Sequence, residues 1–413
     1  MIPSPRLAAF AIALLSPMPL AAFEAFPTLE ATEFVAPDVL NGPHYKVAPQ
    51  VTIDSYLAKF EIQSDYGTLT ALGSEMLRVR LREFPAIASL SEVSQTKAFT
   101  DAVAKGAQAP VDFAKTLATD PQKAASNVAS GVGALFSSAG RAVKQAATSV
   151  SDKTSDTTGN PSSSGGATSF TDDPIGYNKA KREWAKRLGV DPYSTNPLLQ
   201  EKLSAAAQAS FAGGFAMGLA VGAVIGPAQY AVDLEQSTRD AVWDRSPGEL
   251  EASNEATLAS MGITGRPVRD FLRTPSFTPT LSTALVAALK DLSHARGAAA
   301  VIAAAPSVAS EVQARFMVNA LHLLHAFGER GDPVTELRMS GRVPIGISKS
   351  GVVVVPAALD YLPWTEQLAT FVNRKDVAGK RHVLLVTGRA SDIARRELAA
   401  RQWQIEQATL GTR

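Results

Sequence analysis

The sequence predicts a mostly helical α+β protein: an N-terminal β-hairpin with helices, a central helical region with a glycine-striped apolar helix, and a small C-terminal α/β unit. Residues 56–70 combine alternating apolar side chains with turn chemistry, which is typical of a hairpin. Residues 177–327 carry repeated helix start signals and helical apolar spacing. After residue 331, short β-branched runs alternate with helical segments, which indicates an α/β arrangement.

The composition excludes several kinds of chemistry. The chain has 413 residues, of which 46% are hydrophobic, so it can build large cores in more than one domain. Its formal net charge of +1 gives no broad basic surface, so nucleic acid is not a predicted partner. The absence of cysteine excludes disulfides, thiolate catalysis and cysteine-ligated zinc. No sequence pattern predicts a cofactor.

Residues 1–22 have the three-part pattern of a secretory signal peptide. A short segment containing Arg6 precedes an unbroken apolar run at residues 7–15, and prolines and small residues follow. The nine residues of this run are too few to cross a bilayer as a helix, which takes about 20. A buried N-terminal helix is the alternative. We therefore expect export to the periplasm or cell envelope, or secretion.

Residues 23–148 form the predicted region of hairpin and helices. An alternating run at residues 56–62 and a second run at residues 68–70 flank turn-forming side chains at residues 64–67, which predicts the hairpin. Ser74 is the predicted N-cap of the first helix.

Residues 149–174 separate this region from the rest of the chain. They are rich in Ser, Thr, Gly and Asp and almost free of large apolar side chains. Such a segment cannot bury enough apolar surface to offset the entropy of ordering it. The sequence therefore predicts a flexible linker.

A helical region is predicted for residues 175–330. Residues 246–249 form a capping box with proline at the first helical position, which predicts a helix start. Thr278 precedes a proline and predicts another start, and a long helix is predicted for residues 307–327.

Residues 331–413 are predicted to form the α/β unit. Short β-branched runs at residues 343–347 and 352–355 indicate a hairpin, and the apolar run at residues 382–387 indicates a buried strand. Ser391 is the candidate cap of the helix that follows.

A glycine-zipper pattern lies within residues 203–232, which are 30 residues without a formal charge. Gly214, Gly218, Gly222 and Gly226 recur every four residues, so in a helix they form one stripe without side chains. Each costs the helix about 1 kcal/mol, which close packing against the stripe must offset. Three alternatives stay open: a helix pair buried in a soluble domain, a membrane-inserting helix and a self-association face. The candidate partners are therefore a membrane and a second copy of the chain.

Two groups of residues are candidates for ligand binding. His322, His325 and Glu329 share one face of a predicted helix, a spacing that metal sites use. A partly buried helix is the favoured interpretation of these residues, and the sequence predicts no metal.

The second group lies in the C-terminal unit. Arg389 sits between a predicted strand and a predicted helix whose N-terminus could bind an anion. No glycine-rich phosphate motif accompanies it. His382 and Asp360 complete the candidates for a site in this unit.

Several short stretches resemble a group of uncharacterised exported proteins of Gram-negative bacteria. They are residues 56–66, 130–133, 188–193 and 396–403, spread over most of the chain after the predicted signal peptide. The resemblance implies export. It implies no activity, so no catalytic residue follows from it.

Taken alone, the sequence favours an exported envelope protein with a structural or interaction role, through membrane association or self-association of the glycine-striped helix. Enzyme activity is the less favoured interpretation. Two alternatives stay open: an enzyme or ligand-binding protein with its site in the C-terminal α/β unit, and a secreted effector that inserts into a target membrane.

Overall fold

The computed structural model describes residues 22–106, 175–213 and 236–410. Within these residues it has 12 α-helices and 13 strands, and the strands form three sheets. The predicted fold class is wrong in the N-terminal region, because the strands there form a six-stranded sheet rather than one hairpin with helices.

The N-terminal sheet is antiparallel throughout. Its strands are β1 (Thr28–Glu30), β2 (Asn41–Gly42), β3 (Tyr45–Val47), β4 (Gln50–Asp54), β5 (Leu57–Ser64) and β6 (Gly67–Leu72). The predicted hairpin is the β5–β6 pair, and β5 also pairs with β3 and β4 along its other edge. Because β1, β2 and β3 have only two or three residues each, they are too short to show an alternating pattern.

Four helices share one hydrophobic core with this sheet. Phe60 of the sheet, Phe84 of the first helix and Trp184 of the third helix all belong to this core and are fully buried. Burying an aromatic side chain stabilises the fold by roughly 1.5–3 kcal/mol, so residues from both sides of the predicted linker depend on each other. The helices are α1 (Ser74–Ser94), α2 (Lys97–Gly106), α3 (Ile175–Leu188) and α4 (Pro197–Gly213).

Six further helices precede the C-terminal sheet. The predicted capping box is confirmed, since the Ser246 hydroxyl accepts a hydrogen bond from the Glu249 N–H and the Glu249 carboxylate accepts one from the Ser246 N–H. Thr278 also caps a helix as predicted. The longest of the six begins after its cap at Ser310, later than predicted. The helices are α5 (Gln236–Asp244), α6 (Pro247–Ser260), α7 (Arg266–Leu272), α8 (Pro279–Asp291), α9 (Ala298–Ala304) and α10 (Glu311–Gly328).

The C-terminal unit is a layered α/β arrangement. Its strands are β7 (Val334–Ser340), β8 (Val343–Ser348), β9 (Val352–Ala357), β10 (Tyr361–Leu362), β11 (Arg381–Val386), β12 (Arg389–Ala390) and β13 (Trp403–Gln407), with helices α11 (Glu366–Val372) and α12 (Asp392–Ala400). The main sheet has the order β13-β11-β9-β8-β7, and β9, β11 and β13 run parallel. Helices α11 and α12 cover one face and α10 covers the other. The predicted β8–β9 hairpin is confirmed.

In the part of the chain that the structure describes, no helix is both long and apolar enough to cross a bilayer. The predicted signal peptide up to residue 21 and the predicted linker lie outside the described residues. So do the four glycines of the stripe, Gly214, Gly218, Gly222 and Gly226.

Candidate binding cleft

A cleft lies where the carboxyl ends of the three parallel strands face α1 and α10, and its volume is about 630 Å³. The segments that follow β9, β11 and β13 line one side, α1 with the N-terminal sheet lines the second, and α10 lines the third. Open α/β sheets bind their ligands at this carboxyl edge. The cleft is therefore the candidate functional site.

Four arginines and three carboxylates line the cleft. Arg78 and Arg82 are four residues apart on α1, so they lie on one face of that helix. Arg315 comes from α10, and Arg389 lies in β12. A guanidinium group stays protonated and binds a carboxylate or phosphate through a planar pair of donors. The cleft therefore has the chemistry to hold an anion.

Arg315 is paired within the wall of the cleft. Its guanidinium nitrogens lie 3.0 Å from a carboxylate oxygen of Glu311 and 3.6 Å from one of Glu75. Burial lowers the pKa of Arg315, but both glutamates raise it, and the net change is upward. Burial likewise raises the pKa of Glu311, and Arg315 and Arg80 lower it by more. Arg315 thus joins α10 to α1 as a permanent cation.

Asp360, a candidate from the sequence, caps α1. Its carboxylate accepts hydrogen bonds from the Ala58 N–H at 2.9 Å, the Ser74 N–H at 3.0 Å and the Ser74 hydroxyl at 2.6 Å. Ser74 is the first helical residue and not the predicted N-cap, because Gly73 takes that position without offering a side chain. Burial raises the pKa of Asp360, although these hydrogen bonds and Arg78 oppose the rise. The carboxylate therefore supplies a cap that the local sequence lacks.

The predicted anion site after β11 holds two carboxylates of the chain itself. Glu24 accepts hydrogen bonds from the Ser391 hydroxyl at 2.5 Å and the Trp364 N–H at 2.6 Å. Ser391 caps α12, as predicted. Arg389 forms an ion pair with Glu33 at the edge of the cleft. The N-terminal region thus occupies the helix end and neutralises one cleft arginine.

Gly388 allows Arg389 to reach this position. A Cβ atom at Gly388 would overlap the carbonyl oxygens of Asp360 and Leu359. The Arg389 N–H donates to the Asp360 carbonyl oxygen at 2.9 Å, as part of the short β10–β12 pairing. Glycine is required by this close backbone approach. The loops after β9 and β11 are therefore locked side by side.

The structure separates the histidine candidates. His322 lines the cleft, whereas His325 does not, and Glu329 is exposed at the end of α10. Within the described ranges, no three His, Asp or Glu side chains come together in a way that could hold a metal ion. Of this group, only His322 belongs to the candidate site.

His382 and Arg389 do not share a site. His382 lies near the amino end of β11 and stacks on Trp403 with ring centroids 4.6 Å apart. The strand carries the chain roughly 13 Å from His382 to Val386, and Arg389 follows beyond that carboxyl end. A catalytic pair of these two residues is therefore excluded by geometry, while Arg389 and Asp360 do meet at the cleft.

Sequence reasoning missed Arg78 and Arg82. Arginines alternate with apolar residues at positions 78–82, a pattern that suits a strand as well as a helix. Only the helical structure puts Arg78 and Arg82 in the cleft and turns Arg80 away to a buried ion pair with Glu83 at 3.2 Å. The four-residue spacing of Arg78 and Arg82 could have revealed the pair, but it places them on one face only once the segment is known to be a helix.

Comparison of the chain with protein-family models, characterised proteins and solved structures finds no match. The cleft is therefore interpreted from its own geometry and chemistry. The resemblance based on short sequence motifs stays a prediction.

Proposed function

We propose that the chain is an exported protein that binds a small organic anion in the cleft. The observation that supports this most directly is the convergence of Arg78 and Arg82, together with Arg389 in its pair with Glu33, on one cavity at the carboxyl edge of the parallel strands. In a partly enclosed cavity, water competes less for these guanidinium groups, so each hydrogen bond to an anion is stronger than at an open surface.

The state of the carboxylates favours binding over acid–base catalysis. Glu75 is paired with Arg315, Glu33 with Arg389, and Asp360 with the first N–H of α1. A general acid or base must be able to exchange a proton with a substrate held within hydrogen-bond distance. Carboxylates that are already paired with arginines or backbone N–H groups are better suited to shaping a binding site than to exchanging protons with a substrate.

The test is the thermal stability of the full chain with increasing butanoate. A ligand that binds only the folded state raises the Tm, and the rise grows with the logarithm of one plus the ratio of ligand concentration to Kd. We expect butanoate to raise the Tm of the double variant Arg78→Gln/Arg82→Gln much less than that of the wild type. The control Arg381→Gln, at the opposite end of β11, should keep the wild-type rise. Equal rises in the wild type and the double variant would overturn the proposal.

Export and association through the glycine stripe remain proposals that rest on the sequence. The apolar run at residues 7–15 supports export, and the four-residue glycine spacing supports close packing against a membrane helix or a second copy. Cell fractionation with a carbonate wash tests location. Gly218→Leu with Gly222→Leu should change the oligomer size or the membrane partition, and an unchanged value of both would remove the association role.

A further inference from the structure

Apolar side chains line all three walls of the cleft, together with the charged ones. Half-buried aliphatic and aromatic side chains from three parts of the fold line the cavity. They are Leu57 and Leu72 of the N-terminal sheet, Val312 and Phe316 of α10, and Leu359 and Leu410 after β9 and β13. Apolar groups that converge on one cavity from separate elements are typical of ligand sites.

Four of these side chains are not used to build a core. Leu57, Leu72, Val312 and Phe316 belong to none of the hydrophobic clusters formed by the described residues. Each leaves apolar surface in contact with water, which costs about 25 cal/mol per Å². Grouped exposure of this kind marks a binding surface more often than scattered exposure does.

The charged groups of the cleft suit a carboxylate better than a phosphate. Many phosphate sites add free backbone N–H groups at a helix N-terminus to their cationic side chains. Here Asp360 occupies the start of α1, and Ser391 with Glu24 occupies the start of α12. The cleft therefore offers an anion guanidinium groups, whose paired donors bind a carboxylate without added backbone N–H groups.

We propose that the ligand is a single-chain amphiphilic carboxylate. Its head group binds Arg78 and Arg82, and its hydrocarbon chain lies against Val312 and Phe316. A cavity of about 630 Å³ is large enough for such a molecule. This inference rests on the proposed anion-binding function, and it adds the requirement for an apolar chain.

The experiment is calorimetric titration of the full chain with three probes below their micelle concentrations: dodecanoate, butanoate and dodecyltrimethylammonium. We expect dodecanoate to bind at least about 100-fold more tightly than butanoate, because its additional methylene groups leave water. We expect the cationic probe to bind at least about tenfold more weakly than dodecanoate, because it meets arginines instead of a counter-charge.

Two variants separate the head group from the chain. Phe316→Ser should weaken dodecanoate binding about tenfold and leave butanoate binding unchanged, since it removes only apolar contact. Arg78→Gln/Arg82→Gln should weaken both carboxylates. The matched controls are Phe371→Ser, a half-buried phenylalanine of α11, and Arg381→Gln. Leu410→Ser gives a second test of the chain site if Phe316→Ser lowers the Tm.

The outcomes distinguish this inference from the function on which it rests. Arginine-dependent binding of butanoate and dodecanoate with equal affinity would overturn the amphiphile and leave the anion site standing. Equal binding of dodecanoate and the cationic probe would overturn the amphiphilic carboxylate, since it signifies apolar contact without charge recognition. Failure of every carboxylate to bind would overturn both.

Discussion

Buried polar side chains join α1 to α10 through the connector between α3 and α4, residues 189–196. Arg80 pairs with Glu83 at 3.2 Å, donates to the hydroxyls of Ser194 at 3.1 Å and Thr195 at 2.6 Å, and lies 3.8 Å from Glu311. Removing one partner from such a buried network leaves another charge without compensation, which typically costs 3–5 kcal/mol. The side chains that position the cleft walls therefore also stabilise the fold.

Asp191, in the same connector, gives a pH-dependent prediction. It is 8% exposed and accepts hydrogen bonds from the Tyr193 N–H and the Thr280 hydroxyl, both at 2.8 Å. Burial raises its pKa to about 6, against the opposing effect of these hydrogen bonds. The folded state thus binds this proton more tightly than the unfolded state. The stability that this proton provides is present in acid and is lost as the pH rises through about 6.

The measurement is urea unfolding of the wild type and Asp191→Asn at pH 4 and pH 7.5. The asparagine keeps the acceptor oxygen and cannot ionise. From pH 4 to pH 7.5, we expect the free energy of unfolding of the variant to increase by on the order of 2–3 kcal/mol relative to that of the wild type. The control Asp240→Asn, on the exposed surface of α5, should show no such change. A difference that is the same at both pH values would contradict the prediction.

Glu33 gives a second prediction at this scale. Its side chain is 29% exposed and that of its partner Arg389 is 56% exposed, so the pair contributes less than about 1 kcal/mol to stability. Glu33→Gln should therefore leave the free energy of unfolding nearly unchanged. The same variant should raise butanoate affinity several-fold, because Arg389 loses its internal counter-charge. A decrease in affinity, measured by calorimetry, would show that Glu33 orders the cleft.

At the scale of elements, features set by nearby residues could be predicted from the sequence, whereas features set by distant residues could not. The capping boxes and caps at Ser246, Thr278 and Ser391 depend on neighbours three residues away, and all three are present. The β4–β5 turn has no such signal, because Tyr56 adopts a φ of 71° without being glycine. Its carbonyl oxygen accepts N–H bonds from Asp360 and Tyr361, which stabilise this conformation from a distant part of the chain.

The cap of α1 by Asp360 is the clearest long-range contact. Its contribution to stability can be compared with that of a local helix cap. Asp360→Ala removes the acceptor of three hydrogen bonds and should cost about 2–4 kcal/mol in urea unfolding. Ser246→Ala, which removes an exposed local cap, should cost only about 1 kcal/mol. Comparable losses for the two variants would mean that Asp360 contributes no more than an ordinary helix cap.

On the scale of the whole molecule, the chain folds back on itself around the cleft. Glu24 donates its N–H to the Trp364 carbonyl oxygen at 2.8 Å, and the Tyr56 hydroxyl meets that of Thr365 at 2.6 Å. These contacts fasten the N-terminal region to the C-terminal unit. Because the cleft has walls from both regions, no segment of the chain folded in isolation could form it. This is why sequence reasoning, which treats segments separately, did not find it.

A cut in the predicted linker tests this architecture. A specific protease site inserted after Ser163 would divide the chain between α2 and α3, whose helices share one core with the N-terminal sheet. Since that core includes fully buried side chains from both fragments, such as Phe84 and Trp184, we expect the fragments to co-elute on size exclusion after cleavage. They should separate only in denaturant. Butanoate should still raise the Tm of the cut protein, because the cleft walls stay in place. Separation of the fragments in native buffer would show instead that the two parts are independent domains.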